Sequence, residues 1–268
     1  MKTFQRIKGR VQRAIEARRT FDRIAVFNHI PKTAGMSFHQ FIKDNLPSNS
    51  VLDFYTLDNR DRLVEYASQP QSRYAAIVGH LPFSFFANLP LPATPSHITV
   101  LREPVARLIS YYYYIRTSET HYLHDWVVNE DVQLQAFFES KPTMEVDNLH
   151  LRFLCSTDCS NVPIGGCTRE MLEEAKDNLK NRFAVVGLQE FFPQSLELTA
   201  RTLGWSNITN PEINRAPQKQ KSSRNDVTIE LIRSMNELDI ELYNFAKELF
   251  VNHCNELGIN LETQEHFK

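Results

Sequence analysis

The 268-residue sequence has no apolar stretch approaching the ~20 residues of a membrane-spanning helix, and its N-terminus lacks the apolar core of a secretory signal. On that basis the chain is expected to be cytoplasmic. It also has almost no net charge, since 30 Lys and Arg against 32 Asp and Glu leave −2. No global field draws it to nucleic acid or to an acidic polymer, so any anion site must be local. Cysteine is scarce. Cys155, Cys159 and Cys167 lie close together, but without the paired spacing or following histidines of a zinc site, so no metal is expected. Reduced thiols are the default reading there, with a disulfide as the alternative in an oxidising compartment. Internal repeats and low-complexity tracts are also missing. With 42% hydrophobic residues the chain can bury one substantial core and is long for two.

Charge is present, but locally. In the first 23 residues Lys2, Arg6, Lys8, Arg10, Arg13, Arg18, Arg19 and Arg23 face only Glu16 and Asp22. Phe4, Ile7, Val11, Ala14 and Ile15 recur at helical spacing, which makes residues 1–23 a basic helical extension ahead of a domain over 24–268. Such a helix is compatible with peripheral contact at an anionic membrane, although a solvated helix packed on the domain is the more ordinary reading.

Continuous apolar runs at 24–27, 75–78, 98–101 and 183–186 suit strands covered on both faces. Helical patterns follow the first and third runs, and further helices are expected near 168–180 and 193–203 and from Asp226 onward. Strand and helix in alternation predict an α/β fold, a single domain with a central parallel sheet flanked by helices. Residues 206–225 carry no period and read as a long loop.

The chemistry lies directly after two of these strands. His29-Ile30-Pro31-Lys32-Thr33-Ala34-Gly35-Met36-Ser37-Phe38 leads from the first strand into a helix, so backbone N–H groups and the positive helix end face an anion, with Lys32 as a mobile cation and Thr33 and Ser37 as hydroxyl donors. Lysine precedes glycine here, unlike the nucleoside triphosphatase loop G-x-x-x-x-G-K-[ST]. After the third strand, Leu101-Arg102-Glu103-Pro104 opens a helix at Pro104. Arg102 projects towards the Lys32 loop, and Ser110 follows two turns later. Arginine matches a doubly charged phosphate through paired hydrogen bonds.

Residues 27–38 and 99–111 resemble the 5′-phosphosulfate loop and the 3′-phosphate element of the carbohydrate sulfotransferases of the heparan sulfate 2-O- and 6-O- type. Val78-Gly79-His80-Leu81 and Val185 to Glu190 with Ser195-Leu196 are similar to the same family, so the resemblance spans residues 24–250 and suggests a soluble, bacterial-like member. It implies a P-loop-like sulfotransferase fold and, without metal, transfer of a sulfuryl group from 3′-phosphoadenosine 5′-phosphosulfate (PAPS) to a hydroxyl of a glycan or glycolipid.

The resemblance further implies that Lys32 and His80 are catalytic, Lys32 neutralising the leaving phosphate and His80 taking the acceptor's proton. Donor contacts would come from Lys32, Thr33, Ala34, Gly35, Met36, Ser37, Arg102 and Ser110. Lys221 and Arg224 would belong to a loop over the nucleotide, and Asn148, Arg152 and Tyr113 would meet the acceptor. His29 reads as structural, and Tyr111 to Tyr114 divide between core and groove. The alternatives are a P-loop kinase or nucleotidase, which would need Mg²⁺, and a non-catalytic glycan- or nucleotide-binding module.

Overall fold

A computed structural model of the chain describes residues 20–55, 60–87, 89–211 and 226–261. The N-terminal half runs β1 (Arg23–Asn28), α1 (Gly35–Asn45), β2 (Val51–Phe54), α2 (Arg60–Ala67), β3 (Ala76–Gly79), α3 (Ser84–Ala87), β4 (Thr94–Leu101) and α4 (Pro104–Thr117). The remainder runs α5 (His124–Asn129), α6 (Leu134–Ser140), α7 (Leu149–Leu154), α8 (Arg169–Asn181), β5 (Phe183–Leu188), α9 (Phe192–Leu203), α10 (Asp226–Met235) and α11 (Glu237–Glu256).

All strand pairs are parallel, and the sheet order is β2-β3-β1-β4-β5. Side chains alternate across β1. Ala25 and Phe27 join the main core with α1, α8, α9 and α11, whereas Ile24 and Val26 face a second apolar cluster with Leu52, Phe54, Tyr66 and Ile77. Both sheet faces are thus dry, which is why the strands read as unbroken apolar runs. The expected α/β fold is present.

Two features depart from the sequence reading. Strand β2 was not anticipated, because Val51-Leu52-Asp53-Phe54 alternates half-buried with buried positions at the sheet edge and offers no continuous apolar run. The C-terminal helix expected from Asp226 is broken into α10 and α11 at Asn236, whose fully buried amide donates to the Val146 and Ile232 carbonyls and accepts from the Asn148 N–H. That side chain holds the turn as a junction between distant segments. The expected basic helix lies almost wholly outside the described residues, as does most of the 206–225 loop. Among the described residues no helix is long and apolar enough to cross a membrane.

Candidate active site

The order β3-β1-β4 brings three loops together at the carboxyl edge of the sheet, beside the central strand, where open parallel sheets place ligands. His80 follows β3, Lys32 follows β1 and Arg102 follows β4. Each stands within four residues of a strand end, so the rigid sheet determines their spacing.

The β1–α1 loop is unusual in its backbone. Lys32 and Ala34 both have left-handed φ values, 72° and 65°, without being glycine. Strain of this kind persists where surrounding structure holds it, commonly at ligand loops. Thr33 contributes by closing the loop, its buried hydroxyl donating to the Ile30 carbonyl at 2.9 Å. That corrects the expectation of a hydroxyl donor for an anion at Thr33. Only its backbone N–H remains for such a role.

Helix α1 then starts with no side-chain cap and no acidic residue in its first turn, leaving its leading N–H groups and positive dipole end towards the loop. Helix α4 differs, because the Glu103 carboxylate caps the Val105 and Ala106 N–H groups. An anion beside α4 would therefore meet the Arg102 side chain rather than the helix end.

Gly35 is required by packing. A Cβ there would stand 1.7 Å from Nε2 of His29. The buried His29 ring stacks on Phe27 and approaches the Tyr55 hydroxyl through Nδ1 at 3.2 Å. Burial, with His80, His39 and Lys32 nearby, holds His29 well below the ordinary histidine pKa, so it stays neutral. Its structural reading fits this position, and it also does something the sequence did not show. Its carbonyl oxygen lies 2.9 Å from Nδ1 of His80. A carbonyl can only accept, so Nδ1 of His80 carries the proton and Nε2 is left with a free lone pair. His80 is exposed as a residue, although the His29 and Tyr55 rings pack against it with centroids 4.4 and 5.0 Å away. Desolvation lowers its pKa despite the hydrogen bond to His29, which favours the charged form.

Lys32 packs against α4. Its Nζ stands 4.0 Å above the ring of Tyr114 on α4, a cation–π contact. Burial first, and then Arg102, push its pKa down to about 8, with Glu145 pulling the other way. Nη1 of Arg102 donates to the Lys32 carbonyl at 3.2 Å, tying the two cationic loops together. Ser110 is half-buried on α4, while Ser37 is buried and Met36 exposed at the start of α1.

Glu145 belongs to this setting and carried no motif signal. Burial raises its pKa against the opposing pull of Arg107, Tyr111 and Lys32. Tyr55 was equally unmarked in the sequence.

The expected acceptor residues fare differently. Arg152 is buried and donates to the carbonyls of Asp147, Val162 and Pro163 and to the Asp147 carboxylate. Asn148, buried in a left-handed conformation, bonds to Asp147, Met235 and the Asp239 N–H. Both are corrected to internal staples, because every group they would offer a sugar is occupied by the protein. Tyr113 is half-buried and packs edge-on against Tyr112. Lys221 and Arg224 lie outside the described residues. Cys155 and Cys159 are buried free thiols with sulfurs 2.8 Å apart. No cluster of three or more potential metal ligands occurs among the described residues.

The sequence model of the galactose-3-O-sulfotransferase family matches residues 38–266. Heparan sulfate 2-O-sulfotransferase 1 of Xenopus laevis is 27% identical over 260 residues, covering 85% of this chain and 71% of that protein. The Gallus gallus protein of the same name is 28% identical with the same coverage. The heparin sulfate O-sulfotransferase of Drosophila melanogaster is 24% identical over 196 residues, 67% of this chain and 56% of its own length. Mouse sulfotransferase SULT7A1 complexed with PAP aligns with 83% of this chain and 68% of its own at 14% identity and a TM-score of 0.39.

Proposed function

Because the chain belongs to the galactose-3-O-sulfotransferase family, we propose that it transfers the sulfuryl group of PAPS to a carbohydrate hydroxyl, with His80 as general base and Lys32 as the cation at the leaving phosphate. The observation that carries this reading is the hydrogen bond from His80 Nδ1 to the His29 carbonyl, which leaves Nε2 unprotonated on a residue that is exposed. A base with a depressed pKa is neutral at pH 7 and ready to accept.

PAPS supplies an activated sulfuryl group on a phosphate leaving group. The chain's part is to hold and neutralise it. The uncapped end of α1 and the loop N–H groups from Thr33 to Ser37 suit the 5′-phosphosulfate, and Arg102 with Ser110 suits the 3′-phosphate. Lys32 is linked to Arg102 through its own carbonyl. As the bond from sulfur to the bridging oxygen breaks, negative charge grows on that oxygen. The Lys32 ammonium stabilises it, while Nε2 of His80 takes the proton of the attacking hydroxyl.

The test is transfer of ³⁵S from labelled PAPS to lactose and to fully desulfated heparan, with chelator present. Labelled glycan that disappears with His80→Ala is the expected result. No labelled product with either acceptor, together with no binding of 3′-phosphoadenosine 5′-phosphate, would refute the proposal.

A further inference from the structure

Lys32 is held from two directions. Its carbonyl accepts Nη1 of Arg102, just ahead of α4, at 3.2 Å, and its Nζ stands 4.0 Å from the centroid of the Tyr114 ring within α4. Tyr114 follows Ser110 by four residues, so the two side chains share one face of the helix. The ring is itself braced. Beyond α4 the chain turns back through hydrogen bonds from the His121 N–H to the Ser118 carbonyl at 2.9 Å and from the His124 N–H to the His121 carbonyl at 2.8 Å. The His121 ring thereby packs against Tyr114 with centroids 5.7 Å apart and planes at 84°. Nδ1 of His121 accepts the Leu123 N–H at 3.2 Å, and Tyr122 stacks on the same ring at 4.7 Å. Tyr111 and Tyr112 enter the core, whereas Tyr114 stays 41% exposed. An exposed tyrosine needs no role by itself. This one is a braced ring with a half-buried cation on its face.

The charges around Lys32 give the ring its purpose. Desolvation first, and then Arg102, act against the charged ammonium, and the ammonium in turn acts against charge on His29. Among the described residues, Glu145 is the carboxylate that favours it. Its effect is smaller than that of Arg102, and burial pushes Glu145 itself toward its neutral form. A carboxylate in close contact would hold the lysine more strongly, but it would also repel an incoming anionic phosphosulfate. The face of an aromatic ring attracts a cation through its quadrupole while carrying no net charge. It favours the charged lysine and leaves the donor unopposed.

We propose that Tyr114 is a positioning residue for sulfuryl transfer, its ring face seating the Lys32 ammonium beside the donor loop in place of a close counter-ion. This rests on reading Lys32 as the cation at the leaving phosphate. The seat itself is tested without turnover.

The experiment compares wild type, Tyr114→Leu and Tyr114→Phe by NMR, each labelled with ¹³C at the lysine ε-carbon, with the Lys32 signal assigned by its loss in Lys32→Arg. Leucine keeps apolar cover over the ammonium and removes the π face, whereas phenylalanine keeps the face and removes the hydroxyl. In Tyr114→Leu the Lys32 titration midpoint is expected to fall by about half to one pH unit. The upfield ring-current displacement of its ε-methylene should vanish with it. Tyr114→Phe should keep both. The alkaline limb of kcat/KM for PAPS should move down with the titration in Tyr114→Leu and stay in place in Tyr114→Phe. An unchanged or raised midpoint in Tyr114→Leu would overturn the seat, given a urea transition that matches wild type. So would a midpoint in Tyr114→Phe that falls as far as in Tyr114→Leu, which would assign the lysine to the tyrosine hydroxyl. Absence of the upfield displacement in wild type would overturn it whether or not Tyr114→Leu folds. A wild type that shows the displacement and the shifted titration but transfers no sulfuryl group leaves the seat standing and refutes the sulfotransferase reading alone.

Discussion

Activity is expected to follow a bell in pH whose alkaline limb belongs to Lys32. The ammonium must be charged to stabilise the leaving phosphate, yet burial and the Arg102 guanidinium bring its pKa down to about 8 from 10.5. The pH dependence of kcat/KM for PAPS reports the free enzyme, so it should fall above pH 8 by about tenfold per unit, leaving roughly a tenth of the plateau at about pH 9. Bound phosphosulfate adds negative charge beside the ammonium and favours its protonated form. The alkaline limb of kcat should accordingly lie higher than that of kcat/KM. The acid limb belongs to His80. Its pKa lies below 6.5, so the base stays neutral, and activity persists, to more acid pH than an ordinary histidine would allow. Initial rates with labelled PAPS at constant ionic strength, from about pH 5 to about pH 10, would trace both limbs. Lys32→Arg carries a charge that does not titrate in this range, and should lose the alkaline limb of kcat/KM even if its plateau is lower. An alkaline limb near 10, or one that survives unchanged in Lys32→Arg, would refute the role of Lys32.

Other consequences follow from the same geometry. His80→Ala should lower kcat about 10²- to 10⁴-fold while binding of 3′-phosphoadenosine 5′-phosphate persists in calorimetry. Wild type should bind that nucleotide about ten- to a hundredfold more tightly than AMP, and Arg102→Ala should remove most of the preference with little change for AMP. Gly35→Ala forces the His29 ring from its packed position and should cost about 1–3 kcal/mol in urea denaturation, together with a fall in kcat as the carbonyl supporting His80 moves. Arg152→Ala leaves the buried Asp147 carboxylate without its cation and should cost about 3–5 kcal/mol. A soluble, fully stable variant with only a raised acceptor KM would return Arg152 to the acceptor site.

Much of the fold was legible because its signals are local. Strands β1, β3, β4 and β5 announced themselves as apolar runs, since both sheet faces are covered, and α9 ends where Gly204 adopts the left-handed conformation at its C-cap. What escaped the sequence has physical reasons. Strand β2 is half-buried at alternate positions, so Asp53 interrupts its apolar run. The break at Asn236 follows from hydrogen bonds to residues 88 and 90 positions away, which no helical period can register. Asn148 and Arg152 looked like ligands for a sugar because polar side chains in a motif-like run give no hint that the protein's own carbonyls will consume them.

The sequence by itself determined the α/β class, the strand–loop–helix placing of Lys32 and Arg102, and the family resemblance, because each is written in contiguous residues. Tertiary structure alone decided the rest. It placed β3, β1 and β4 side by side, so that His80, Lys32 and Arg102 meet at one edge of the sheet. Across 51 residues it set the His29 carbonyl against His80, choosing the tautomer that leaves Nε2 free. It also chose which tyrosines enter the core and which stay open beside Lys32, because burial depends on what packs against α4 from elsewhere in the chain.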